Sequence, residues 1–251
     1  MIHTLQDREK SALPAGRADF LLAAAAQETP APGPLTLSVN ALTPFAALKI
    51  LYLGLTSEPG AYETVTFGIA PEAAFDARAL FEQGREFGRY YKPAGDYVIL
   101  GEIISPDAAD AAALSEPLPG MGLFEQLGRT ADAFLMFAAG FVLEACRRFP
   151  VVLGGGSRMA AVLLIANRIV RRDGLPMDPR KLTLCTAGGI AETERAATLS
   201  LLGRLDFRPR ALYAELSSFD GRESYAGAAM AYGTMQGLSM AQIARQAEGG
   251  A

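Results

Sequence analysis

Six short apolar or β-branched runs, each followed by a longer helical pattern, limit this chain's fold more than any other feature. Leu35 to Val39 leads into a helical pattern from Thr43, and Val65 to Phe67 into one across Ala73 to Tyr91. Tyr97 to Leu100 precedes an alanine-rich segment from Asp107 to Leu114, and Val151 to Leu153 precedes Ser157 to Arg171. Leu182 to Cys185 precedes Glu192 to Leu202, and Ala211 to Glu215 precedes Glu223 to Met235. Strands this short and uniformly apolar, separated by about 10–20 helical residues, are the pattern of a parallel sheet buried on both faces. The predicted class is therefore α/β: a Rossmann-like, mostly parallel sheet with helices on both faces and a small helical appendage at the termini. Right-handed crossovers would place the C-terminal ends of the parallel strands along one edge, where ligands of open α/β sheets bind. The stretch to Ala26 reads as mildly helical. Gln27 to Pro34 (QETPAPGP) reads as a linker, because its prolines stop helix and sheet alike. The predicted division is 1–34 for a helical segment plus linker and 35–251 for the α/β domain.

Composition removes whole classes of chemistry. Half of the 251 residues are hydrophobic and 20% are charged, which supports a sizeable core. A formal charge of −4 argues against a nucleic-acid partner. The single histidine, His3, stands near a terminus and argues against both a Ser-His-Asp triad and a histidine-ligated metal site. Cys146 and Cys185 are too few and too far apart for a zinc cluster or a disulfide framework. Residues Met1 to Lys10 mix both charge signs and lack the apolar core of a secretion signal, and the apolar run Ala133 to Leu143 is too short to span a membrane. These features predict a cytoplasmic protein without a membrane partner. Ala133 to Leu143 is expected to be a buried helix that, with the alanine-rich C-terminal helices, contributes a symmetric interface in a homodimer.

Val151-Val-Leu-Gly154-Gly155-Gly156-Ser157-Arg158 carries the richest chemistry. An apolar strand runs into three glycines, a serine suited to the N-cap position, an arginine and an apolar helix. Glycines let the backbone approach a ligand, and the free amides with the helix dipole attract an anion, to which Arg158 adds a charged fork. The same residues also fit a plain strand-to-helix turn. Tyr97-Val-Ile-Leu-Gly101-Glu102 places a carboxylate at a strand end, suited either to general-base work or to tethering a loop. Cys185-Thr-Ala-Gly188-Gly189 and Glu215-Leu-Ser217-Ser218 are further strand-end turns, and several such turns together point to a small-molecule pocket. No full dinucleotide fingerprint is present, although Asp173 and Asp178 fall where its acidic residue would stand.

Three blocks carry a family resemblance. Ala77 to Leu114 (ARALFEQGREFGRYYKPAGDYVILGEIISPDAADAAAL), Leu127 to Ile169 and Ala214 to Gly237 resemble, in order and spacing, segments of the nicotinate-nucleotide–dimethylbenzimidazole phosphoribosyltransferases, particularly their archaeal-type branch. The resemblance implies transfer of phosphoribose from nicotinate mononucleotide to a ring nitrogen of dimethylbenzimidazole, releasing nicotinate, as in making the lower ligand of cobalamin. It implies a nucleotide and an aromatic base as partners, a dimer, and no metal or redox cofactor. Glu102 then stands as the catalytic carboxylate, with Gly101, Ser105, Gly154, Gly155, Gly156, Ser157, Arg158, Gly188, Gly189 and Ser217 about the substrate and its phosphate.

The chain departs from the family pattern in two places. Ile103-Ile-Ser105-Pro106-Asp107 follows the Gly-Glu pair where the family has threonines, leaving Ser105 as the hydroxyl donor. Aligning Tyr225 with the family's tyrosine puts Tyr232-Gly233 where the family carries the Glu-Gly pair of its base. Tyrosine, with a pKa of about 10, is a poor base at neutral pH. Glu215 and Glu223 are substitutes to consider. The competing expectation is a catalytically impaired relative that binds a nucleotide or a partner without turnover.

Overall fold

A single eight-stranded sheet runs through the computed structural model, which describes residues 2–7, 9–11, 13, 16, 18–25, 35–40, 63–67, 76–103, 111, 114, 120–188, 192–214, 238–239 and 241–242. In chain order its strands are β1 (Ile2–Thr4), β2 (Ala18–Ala25), β3 (Leu35–Asn40), β4 (Glu63–Phe67), β5 (Tyr97–Ile103), β6 (Val151–Gly154), β7 (Leu182–Ala187) and β8 (Arg210–Ala214). In space they stand β1-β8-β7-β6-β5-β2-β3-β4. Strands β2, β5, β6, β7 and β8 are parallel, while β1, β3 and β4 run antiparallel to their neighbours. The described helices are α1 (Ala77–Tyr90), α2 (Leu123–Thr130), α3 (Ala133–Ala145), α4 (Ser157–Asp173) and α5 (Glu192–Leu202). The α/β class expected from the alternating runs is the class observed.

The winding explains where the helices lie. From β2 through β5, β6 and β7 to β8, each new parallel strand is added on the same side of the last. Right-handed crossovers then put every connecting helix on one face of the sheet. Packing agrees, since α1, α3, α4 and α5 share a core with Leu21, Val98, Leu100, Val151, Leu153, Leu182 and Leu184. The opposite face, carrying Ile99, Val152, Cys185 and Leu212, is buried too.

The N-terminal stretch predicted as mildly helical is strand instead. Ala18-Asp-Phe-Leu-Leu-Ala-Ala-Ala25 has helix-forming composition, yet as β2 it lies between β5 and β3 and pairs with both. Two-sided pairing satisfies its amides and carbonyls, and tertiary context overrides local propensity. Strands β1 and β2 thus belong to the same sheet as the rest. The linker from Gln27, and the helical patterns after Thr43 and from Glu223, lie outside the described residues.

Helix α3 is apolar on every side and buried from Phe134 to Ala145, as expected for the run Ala133 to Leu143. It packs between α1 and α4. The helix is used up inside the chain and presents no apolar face to a second copy, so the dimer expectation loses the helix on which it was placed. Its contact with α1 is made by main chain. A methyl group on Gly84 would overlap the Phe137 carbonyl, and one on Gly140 would overlap the Phe81 carbonyl. At the sheet edge away from the strand C-termini, buried Asp19 accepts hydrogen bonds from Tyr91 Oη at 2.6 Å and from the amides of Ala94 and Gly95 at 2.8 Å each. Burial first, and Asp19 second, push the Tyr91 phenol well above its ordinary pKa. This network fastens the turn after α1 to β2.

Candidate functional site

Side chains alternate along β5, so Val98, Leu100 and Glu102 share the face that the helices cover. Glu102 is the last of them, which sets its carboxylate at the C-terminal edge of the sheet. The strand continues through it to Ile103, where the sequence placed it just beyond the strand end. In register beside Gly101 stands Gly154, the end of β6, and Gly154 in turn pairs with Cys185 of β7. The Gly155 amide donates to the Cys185 carbonyl at 3.0 Å and ties the glycine turn down.

Helix α4 opens one residue later than its sequence suggests. Gly156 is the N-cap and Ser157 the first helical residue, so the serine hydroxyl does not cap the helix. The cap comes from another element: Glu194, in the first turn of α5, accepts the Ser157 amide on Oε1 at 2.6 Å. A side chain at 156 would overlap that carboxylate oxygen, so glycine is what lets Glu194 in.

Arg158 spends its fork inside the site. Its Nε donates to Glu102 Oε2 and its Nη2 to Glu102 Oε1, both at 2.7 Å. The same Nη2 donates to Asp132 Oδ2 at 2.8 Å. Asp132 uses its other oxygen to cap α3, accepting the Leu135 amide at 3.0 Å. The guanidinium carbon lies 5.8 Å from the Phe134 ring centroid. Burial works against the Arg158 charge, but the hydrogen bonds and charge of Glu102, with Asp132 adding to them, outweigh it and raise the arginine pKa. The result is a rigid, ionised pair whose carboxylate is oriented by two parallel bonds.

Glu102, Gly101, Gly154, Gly155, Gly156, Ser157 and Arg158 therefore meet at one edge, as their strand ends required. Gly188 follows β7 at the same edge, where its amide donates to the Ala214 carbonyl at 2.8 Å. Ser105, Gly189, Ser217 and Tyr232, with Glu215 and Glu223, lie outside the described residues. Sequence reasoning missed Asp132 and Glu194. Asp132 had a signal, since an aspartate directly before a long apolar run is an N-cap pattern. Glu194 had none beyond its place near a helix start. Thr186 was missed as well: it is 1% exposed, and its hydroxyl has no hydrogen-bond partner among the described residues.

Cysteine chemistry is closed by burial, which pushes the Cys185 thiol up to about 12 and the Cys146 thiol to about 11, so neither is a thiolate at neutral pH. Among the described residues no three His, Cys, Asp or Glu side chains converge to hold a metal ion, and no helix is long and apolar enough to cross a membrane.

No family model matches the sequence. Over 145 residues the chain is 27% identical to a UPF0284 protein of Picosynechococcus sp., a match covering 51% of this chain and 39% of that one. Over 164 residues it is 26% identical to a UPF0284 protein of Gloeobacter violaceus, covering 52% and 44% respectively. The chain thus spans less than half the length of the curated relatives it matches. Among solved structures it is similar to a nicotinate-nucleotide-dimethylbenzimidazole phosphoribosyltransferase from Thermus thermophilus, at 20% identity and a TM-score of 0.44, over 68% of this chain and 56% of that one.

Proposed function

We propose that this chain is a phosphoribosyltransferase-like protein that moves phosphoribose from nicotinate mononucleotide to a benzimidazole-type base. The observation that carries the proposal is the placement, at one sheet edge, of the buried Glu102 carboxylate beside the amide-lined start of α4. The two halves suit the two ends of the reaction. A phosphate is held where amides and helix dipole converge. The attacking base has a ring N–H proton to lose, and a carboxylate is there to take it.

The step balances without a redox partner. The ring nitrogen forms a bond to the anomeric carbon, the bond from that carbon to the nicotinate nitrogen breaks, and nicotinate leaves with the electron pair. The released ring proton goes to Glu102. A carboxylate oxygen carries two lone pairs, so a single bond from Arg158 to each Glu102 oxygen does not use up its capacity to accept. Arg158 thereby acts as a positioning residue that fixes the direction in which Glu102 accepts. The protein would be cytoplasmic and homodimeric, and light scattering at micromolar concentration checks the dimer.

The test is direct. Purified protein is incubated with nicotinate mononucleotide and dimethylbenzimidazole, and released nicotinate is followed by chromatography. The expected result is turnover that falls roughly 100- to 10,000-fold in Glu102→Gln, the span typical of a lost general base. No release by the unaltered protein, under conditions where an authentic enzyme of this kind turns over, would overturn the assignment. A second reading, nucleotide binding without turnover, draws on the fact that the Ser157 amide and the Arg158 fork already hold carboxylates of the chain itself. Calorimetric binding of nicotinate mononucleotide with no nicotinate released would favour it.

A further inference from the structure

We infer that Glu194 is a built-in competitor for the anion seat at the start of α4, and that a ligand's phosphate enters by displacing it. The inference rests on the reading of that seat as a phosphate site. At 2.6 Å, Glu194 Oε1 occupies the position on the Ser157 amide that an incoming oxyanion would need. The loop is shaped around this occupant, since a Cβ at Gly156 would fill the place of the same oxygen. The N-cap residue of α4 supplies no side-chain cap of its own, and the capping carboxylate comes 37 residues later, from a different helix.

The latch has somewhere to go. Glu194 is partly exposed and stands in the first turn of α5. When it swings into water its charge is still favoured by the dipole of α5, so release costs little beyond the bond to Ser157. A second donor stands at this edge. Thr186 is one residue past Cys185, the residue whose carbonyl anchors Gly155, and it shares a sheet face with Leu182 and Leu184, the face on which α4 packs. Its buried hydroxyl has no partner among the described residues while Glu194 is docked. A tetrahedral oxyanion brings more acceptor oxygens than a carboxylate and has a use for that donor.

Selectivity follows from the tether. A carboxylate held on the neighbouring helix competes at an effective concentration in the millimolar range or above. A free carboxylate of equal chemistry gains nothing by replacing it. A phosphate monoester, with about −1.5 to −2 charge and three strong acceptor oxygens, does gain. For a ligand bearing a carboxylate at one end and a phosphate at the other, the latch admits the phosphate end.

Ribose 5-phosphate is titrated calorimetrically into the full chain and into Glu194→Gln and Glu194→Asp, with the Ser157 amide followed by NMR. Glu194→Asp keeps the charge but withdraws it from the seat, which separates occupation from long-range repulsion and guards against a folding defect in one variant. The expected result is about tenfold tighter binding in both variants, the worth of one charged hydrogen bond, with the Ser157 signal moving on saturation. Equal affinity in all three proteins, with that signal moving, would overturn the latch and leave the phosphate seat standing. Weaker binding in the variants would make Glu194 part of the receptor and also overturn it. A Ser157 signal that stays still in every protein would remove the seat itself, and the latch with it.

Discussion

Glu102 and Glu144 are both buried carboxylates held by arginine, but their surroundings are built in opposite ratios. Glu144, near the end of α3, meets Arg85 at 2.7 Å, Arg147 at 2.9 Å and Arg89 at 3.5 Å. Glu102 meets Arg158, and Arg158 must also serve Asp132. The first cluster sets three cations on one carboxylate, and two of its arginines reach water, with side chains 54% and 47% exposed. The second sets one arginine between two carboxylates, and its central pair is 9% and 8% exposed. Burial pushes the Glu144 pKa up, yet the hydrogen bond and charge of Arg85, then Arg147 and Arg89, win and hold it below the ordinary carboxylate range. The difference is one of redundancy. Glu144 can lose an arginine and keep two, whereas the site shares one guanidinium between Glu102 and Asp132. A cluster built to pin two helices tolerates loss, and a cluster built to orient one acceptor does not.

That contrast can be broken most decisively at the arginines. Arg158→Met takes the same cation from Glu102 and Asp132 and is expected to cost about 3–5 kcal/mol in a urea unfolding series, the usual penalty for breaking a buried ion pair on one side. Arg85→Met in the same series should cost less, roughly 1–2 kcal/mol, because Glu144 retains two partners and only one hydrogen-bonded charge contact is lost. Equal losses at the two positions would dissolve the distinction.

A pH series sharpens it at intermediate size. The folded-state pKa of Glu144 lies below its ordinary value of 4.5, so its ion pairs contribute fully above that value and are lost as pH falls through the folded pKa. The melting temperature of the unaltered protein should therefore drop toward that of Glu144→Gln as pH is lowered from about 5 toward 3. A gap between the two proteins that stays constant over this window would contradict the assignment. The smallest effect belongs to an exposed pair. Arg129 and Glu125 sit 2.9 Å apart with side chains 64% and 57% exposed. Glu125→Ala should change stability by no more than about 0.5 kcal/mol in a thermal melt.

What the sequence made legible follows from the range over which each signal acts. Strands β5 to β8 and helices α1, α4 and α5 are written in local periodicity, and the glycine turn after Val151-Val-Leu153 marks its own strand end. The edge that gathers Gly101, Glu102 and Gly154 follows from parallel pairing once the strands are known. Strand β2 was hidden because alanine and leucine favour helix locally, and its partners stand at Leu37 and Glu102, beyond any local window. The partners of the site residues were hidden for the same reason. Arg158 reaches back 26 residues to Asp132, and Ser157 is capped from 37 residues ahead. Residue type announced that Arg158 would seek anions. Only the packing of α3 and α5 decided which ones.

The seam between α1 and α3 has a mechanical consequence. With Gly84 against the Phe137 carbonyl and Gly140 against the Phe81 carbonyl, two main chains touch with no side chain to cushion them. A slide of even a fraction of an ångström drives oxygen into carbon, and so dense an interior does not yield. The two helices must travel as one plank. Asp132 sits at one end of it and Glu144 at the other, so a nudge delivered to the first is carried, undamped, to the second.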